Sequence, residues 1–142
     1  MQSGILTDGF SRQRVERMGE KDWRRANAEF QEPRLSRNLA LRDALAPVAE
    51  RHGTSIAAVA VAWTLTWSGV SGAIVGARSP EQVDSWLSAG NTELDLRDLD
   101  EISLALNQTQ AGEGPTYPAP AGERAIGPSG GAANVASSWP SA

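Results

Sequence analysis

Apolar residues in the middle of the chain recur at helical intervals. Leu41, Leu45 and Val48 stand at i, i+4 and i+7, which puts them on one face of a helix ending near His52-Gly53. Gly53 suits the left-handed position just past a helix end. Thr54 is placed to cap a second helix, in which Ile56, Val59, Ala60, Trp63 and Trp67 keep the same spacing. Ser79-Pro80-Glu81-Gln82 opens a third, as a capping box with proline at the first helical position, and this helix runs to about Ala89-Gly90. Asp95 as N-cap, Asp98 in the first turn, and Leu99, Ile102 and Leu106 along one side signal a last helix. Between the second and third lies Ser71-Gly72-Ala73-Ile74-Val75-Gly76-Ala77, apolar, bounded by glycine and too short for a helix. This pattern predicts a strand buried on both faces. The order is helix, helix, strand, helix, helix.

The two ends read differently. Residues 1–10 begin in apolar and small residues without a polar lead-in, as a truncated start would. From Ser11 to Arg37 the chain is rich in both signs of charge, eight basic residues against five acidic ones, with Trp23 and Phe30 as isolated anchors. A short helix around Ser11–Met18 followed by a long, solvated loop is the expectation; a phosphate-seeking surface is the rival reading. From Thr109 onward Gly, Pro, Ala and Ser dominate and large aliphatics nearly vanish. Such a tail buries too little surface to offset its ordering entropy, so disorder is expected there, with Tyr117 and Trp139 as lone aromatics.

Composition narrows the chemistry. A length of 142 residues allows one domain, whereas a complete (β/α)8 barrel takes roughly 250 residues. The net charge of −4 offers no general attraction to nucleic acid or to an anionic membrane. No cysteine is present, which removes disulfides and thiolate chemistry, and a single histidine builds no zinc site. No apolar run is long enough to span a bilayer and no leader pattern opens the chain, so a cytoplasmic location is the expectation. His52, at a helix end, reads as a cation against the negative pole of the helix dipole rather than as a catalytic group. Trp63 and Trp67 read as core.

One segment carries a chemical suggestion. In Ile74-Val75-Gly76-Ala77-Arg78-Ser79-Pro80-Glu81-Gln82 a strand ends at glycine and a helix begins, with free N–H groups aimed back at the turn, which is the geometry of a phosphate site. Arg78 stands at its mouth, where a guanidinium can clamp phosphate with two parallel hydrogen bonds; Ser79 adds a hydroxyl and Gln82 an amide. Equally, Ser79 and Gln82 can be a plain capping box and Arg78 a solvated loop residue. Spacing alone leaves both readings open.

The run Gly76-Ala77-Arg78-Ser79-Pro80-Glu81-Gln82-Val83 resembles the signature after the eighth strand of aldo-keto reductases, where that family holds the 2′-phosphate and adenosine of NADPH. Ser3-Gly4-Ile5-Leu6-Thr7 resembles the family's loop after strand seven, without the Tyr-Ser-Pro that usually precedes it, and His52-Gly53-Thr54-Ser55 through Ala62-Trp63 resembles its penultimate helix junction. The resemblance covers residues 1 to about 107. It implies an α/β fold, the C-terminal portion of a (β/α)8 TIM barrel, mostly helical with one clear strand, over residues 1–107, with the tail at 108–142. It also implies NADP as cofactor and a small carbonyl or alcohol as substrate, with neither nucleic acid nor membrane as partner. At matching positions Met1 and Ser3 lie along the pyrophosphate, Gly76 and Arg78 at the 2′-phosphate, and Ser79 and Gln82 near phosphate and adenine. Where the family commonly has a Glu-Asn pair at adenine, this chain has Ser85-Trp86, and Trp86 reads either as a base-stacking ring or as a half-buried helix residue.

The family's catalytic Asp, Tyr, Lys and His come from earlier strands and find no match here. The only tyrosine, Tyr117, is in the tail, His52 ends a helix, and the lone lysine, Lys21, lies in the charged loop. No catalytic residue is therefore assigned. The expectation is a C-terminal fragment of an NADPH-dependent oxidoreductase that keeps the cofactor corner and is inactive alone. The alternative is a non-catalytic half-barrel that binds a nucleotide or a partner through its open strand edge. A helical nucleic-acid binder using the arginines between Arg12 and Arg37 is the weakest reading, because acidic residues interrupt them.

Overall fold

The computed structural model describes residues 2–118. Five α-helices carry the architecture: α1 (Arg12–Glu16), α2 (Arg34–Arg51), α3 (Ile56–Leu65), α4 (Pro80–Leu87) and α5 (Leu96–Thr109). Short 3-10 turns at Gln2–Gly4, Trp23–Ala26, Ala28–Phe30 and Ser88–Asn91 fill the connections. The long charged stretch is thus a chain of capped turns, with the Asp22 and Asn27 side chains accepting from the backbone N–H groups of Arg24 and Glu29.

α2 and α3 pack on each other through the face that periodicity marked. Leu41, Leu45 and Val48 meet Ile56 and Val59, and α5 closes the cluster with Ile102 and Ala105. Each such side chain taken out of water contributes roughly 1.5–3 kcal/mol. Gly53 takes the left-handed conformation expected of it, φ 57°. The next helix is capped one residue later than the sequence suggests: the Ser55 hydroxyl, not that of Thr54, accepts from the Ala58 N–H at 3.0 Å. Thr54 instead bonds the Ser88 hydroxyl at 2.6 Å. A second cluster, Ile5, Phe10, Met18, Phe30 and Leu35, packs the first loop and the charged stretch against the start of α2. There the Phe10 and Phe30 rings meet edge to face at 5.9 Å. A third, Ala58, Val61, Ala62 and Ala89, seats α4 on α3.

α2 and α5 are also joined by charge. Asp98, with its side chain fully enclosed, accepts from Arg51 at 2.7 Å and meets His52 Nε2 at 2.6 Å, while closing a reciprocal capping box with Asp95. Burial alone would raise the Asp98 carboxyl, but the hydrogen bonds from His52 and Arg51 outweigh it and hold the group below its ordinary range. His52 does end α2, and a specific carboxylate 46 positions away engages it there.

The expected strand is not formed. Among the described residues there is no strand and no sheet; residues 70–77 are irregular and, apart from half-buried Val75, exposed. The α/β expectation, a partial (β/α)8 barrel with one clear strand, is corrected to an all-helical arrangement. The physical reason is that a strand has no hydrogen bonds of its own: helices close theirs within the segment, whereas residues 71–77 need a neighbouring strand, and none lies beside them. Past the expected domain limit, α5 runs to Thr109 and residues 110–118 fold back on it, burying Ala111 in the first cluster. The rest of the Gly/Pro-rich tail, with Trp139, lies outside the described residues.

Candidate functional site

The corner from Gly76 to Gln82 hangs on α4. Ser79 is its N-cap in extended backbone, φ −148° and ψ 158°, with Pro80 in the first turn as expected. The expected capping box is re-partnered. Gln82 Oε1 accepts from the Arg78 N–H at 2.7 Å, one residue ahead of the cap, and the Ser79 hydroxyl takes no bond from the helix backbone. That hydroxyl faces Glu81, whose carboxyl is held low first by it and then by its own backbone N–H. The polar ends of Ser79 and Gln82 are therefore spent within the corner, and a carboxylate stands by the helix start, where an incoming anion would compete with it. Gly76 is exposed with open space around its Cα, so its backbone is approachable from solvent.

Arg78 is exposed, and among the described residues its guanidinium has no ion-pair partner. Its charge is nevertheless felt by the charged stretch. The Asp22 carboxyl is held down to about 2, first by the side-chain and backbone hydrogen bonds of Arg24 and last by the charge of Arg78. Asp22 thus lies within electrostatic reach of the corner. Nothing in the spacing of positions 22 and 78 signals this; only the fold of the intervening turns produces it.

The remaining expected positions divide. Ser3 is exposed, at φ 54° within the Gln2–Gly4 turn, and makes no hydrogen bond to the corner. Met1 lies outside the described residues. A groove of about 890 Å³, lined among others by Leu6, Leu45, Val59, Trp63 and Gly72 to Val75, brings the first loop near the segment that precedes the corner. Asp8 anchors that loop by accepting from the Ile56 N–H at 3.4 Å.

Trp86 packs half-buried against Ala58, Val61 and Ala62, its indole N–H enclosed without a partner, which costs about 1–3 kcal/mol. That is the helix-residue reading of this position. Ser85 is used in tying α4 to α3, its carbonyl accepting from the Ser55 hydroxyl. Trp63 and Trp67 stack edge to face at 5.2 Å, both half-buried. His52 is engaged by Asp98, and Tyr117 lies by Asp100 of α5, its hydroxyl raised first by desolvation and then by that carboxylate. Both belong to the α2–α5 side of the molecule, and Lys21 is exposed.

Residues 1–106 match the aldo/keto reductase family. A search of the curated proteins finds no match. Members of the family are oxidoreductases that generally use NAD(P)H. No helix among the described residues is long and apolar enough to cross a membrane.

Proposed function

The chain belongs to the aldo/keto reductase family, and on that premise we propose that residues 76–82 are the corner of an NADPH site that receives the cofactor's 2′-phosphate. The observation that carries this reading is Arg78: an exposed guanidinium without an ion-pair partner among the described residues, at the N-terminal end of an eight-residue helix. Free positive charge and the helix pole favour the same dianionic group. Gly76 leaves the backbone open to close approach, while the Ser79 hydroxyl turns from Glu81 to donate to a phosphate oxygen and the Gln82 amide N–H donates to another. Met1 and Ser3 belong to the pyrophosphate side of the same proposal. When bound, the cofactor supplies hydride for carbonyl reduction; this chain's part is to hold and orient its phosphate end.

Titration of the chain with NADPH and NADH, read by tryptophan fluorescence or calorimetry, tests the assignment. Arg78→Ala is expected to weaken NADPH about tenfold, as loss of a charge-assisted pair does, and to leave NADH nearly unchanged. Equal weakening of both would remove Arg78 from this role.

A further inference from the structure

We propose that Glu81 sets how strongly the corner prefers NADPH: its carboxylate holds the place of the 2′-phosphate in the free chain and is displaced when that phosphate binds. The inference rests on the reading of residues 76–82 as a 2′-phosphate site.

The start of α4 spends its donors within the corner. The Arg78 N–H goes to Gln82 Oε1 at 2.7 Å, and the Gln82 N–H goes to the Ser79 carbonyl at 3.2 Å. Pro80, the first residue of the helix, has no N–H to give. Two further donors are the Ser79 hydroxyl, which makes no capping bond with the helix backbone, and the Glu81 N–H. Both are turned to the Glu81 carboxylate, and together they hold it below its ordinary value of 4.5. The corner therefore holds an anion already, and the anion is its own side chain.

Glu81 is the second residue of α4, and Arg78 stands just before the cap, without an ion-pair partner among the described residues. A dianionic 2′-phosphate is drawn in by Arg78 and opposed by Glu81 at the same helix pole. The ribose 2′-hydroxyl of NADH carries no charge and can donate to a carboxylate, as it does to the acidic residue of dinucleotide folds. Arg78 and Glu81 thus pull the choice between the two cofactors in opposite directions. A second role is open to an acid in a first turn, which steadies the helix against its own dipole. That role touches both cofactors alike, so the two are separable.

Glu81→Gln keeps the length of the side chain and removes its charge. In titrations of the full chain it is expected to tighten NADPH about threefold, the size of one charge at a helix pole, and to leave NADH no tighter. Asp84→Asn removes the same charge further along α4 and should leave NADPH nearly unchanged. In the chain without nucleotide, carbon-13 NMR should show the Glu81 carboxyl titrating below 4.5 and rising toward that value in Ser79→Ala. Weakening of both nucleotides by Glu81→Gln, the mark of an acid that only steadies α4, overturns the proposal. So does an unchanged affinity for NADPH, tightening of NADH by the same factor, equal tightening by Asp84→Asn, or an ordinary Glu81 titration in the native chain. If Arg78→Ala weakens NADPH selectively while Glu81→Gln changes nothing, Glu81 loses its role and the 2′-phosphate site stands. If NADPH does not bind, both fall.

Discussion

Two isoleucines separate the halves of this molecule. Ile102 is 3% exposed, enclosed by α2 and α3, and Ile74 is 106% exposed on a segment with no backbone hydrogen bond among the described residues. Beside the cluster of Ile102 the buried charge is met: Asp98 takes Arg51, His52 and its own helix start, and Arg51 reaches Glu101 at 2.6 Å as well. Around Ile74, among the described residues, the backbone is unbonded, Arg78 has no ion-pair partner, and a carboxylate sits by the helix pole. One half is closed by contacts within the chain, and the other leaves backbone groups and a guanidinium open among the described residues. The contrast follows from where each element gets its hydrogen bonds. Helices α2, α3 and α5 satisfy their own backbones and need only an apolar face covered, whereas the exposed run before α4 closes no hydrogen bonds within itself.

The same substitution at the two isoleucines is the sharpest check. Ile102→Ala should cost about 3 kcal/mol in urea unfolding, because it leaves a cavity in the first cluster, and Ile74→Ala should stay within about 0.5 kcal/mol. Comparable losses at both positions would break the contrast. Asp98→Ala is expected to cost a similar amount, about 3 kcal/mol, at the low end for a buried pair because Arg51 and His52 keep a path to water. Its pH dependence has a definite sign. Asp98 has a folded pKa below its ordinary value of 3.8. Its contribution is therefore complete above that value and is lost as the pH falls below it. The gap between the native chain and Asp98→Ala should be wide near about pH 6 and narrow near about pH 3; an unchanged gap would remove the carboxylate from that role. The smallest effect lies at the seam between the halves. Ser55 caps α3 and donates to the Ser85 carbonyl of α4, so Ser55→Ala should cost about 1 kcal/mol and speed amide exchange in α4 more than in α5. Equal acceleration in both helices would deny Ser55 its place at the seam.

Four helices were legible from periodicity and caps because the signals that start, stop and orient a helix lie within a few residues of one another. Leu41, Leu45 and Val48 mark the face of α2, Gly53 its end, and Asp95 with Asp98 the start of α5. Capping was legible to within a residue: Ser55 took the place expected of Thr54, and Gln82 turned to the Arg78 N–H instead of the cap. At the candidate site, Gly76, Arg78, Ser79 and Gln82 come together by adjacency in the chain, so the sequence already grouped them. Asp22 joins only through the turns between positions 22 and 37, and Trp86 is committed to α3 by packing that no local pattern encodes.

By itself, then, the sequence determined the helices, their buried faces, the turn at Gly53 and the family to which the chain belongs, since each rests on neighbouring residues or on a contiguous motif. Tertiary structure alone decided that Asp98 would bind Arg51 and His52 from another helix, that Asp22 would approach Arg78, and that the apolar run at 71–77 would have no partner among the described residues. A helix closes its hydrogen bonds within itself, and a strand or an ion pair exists only where the fold delivers a partner.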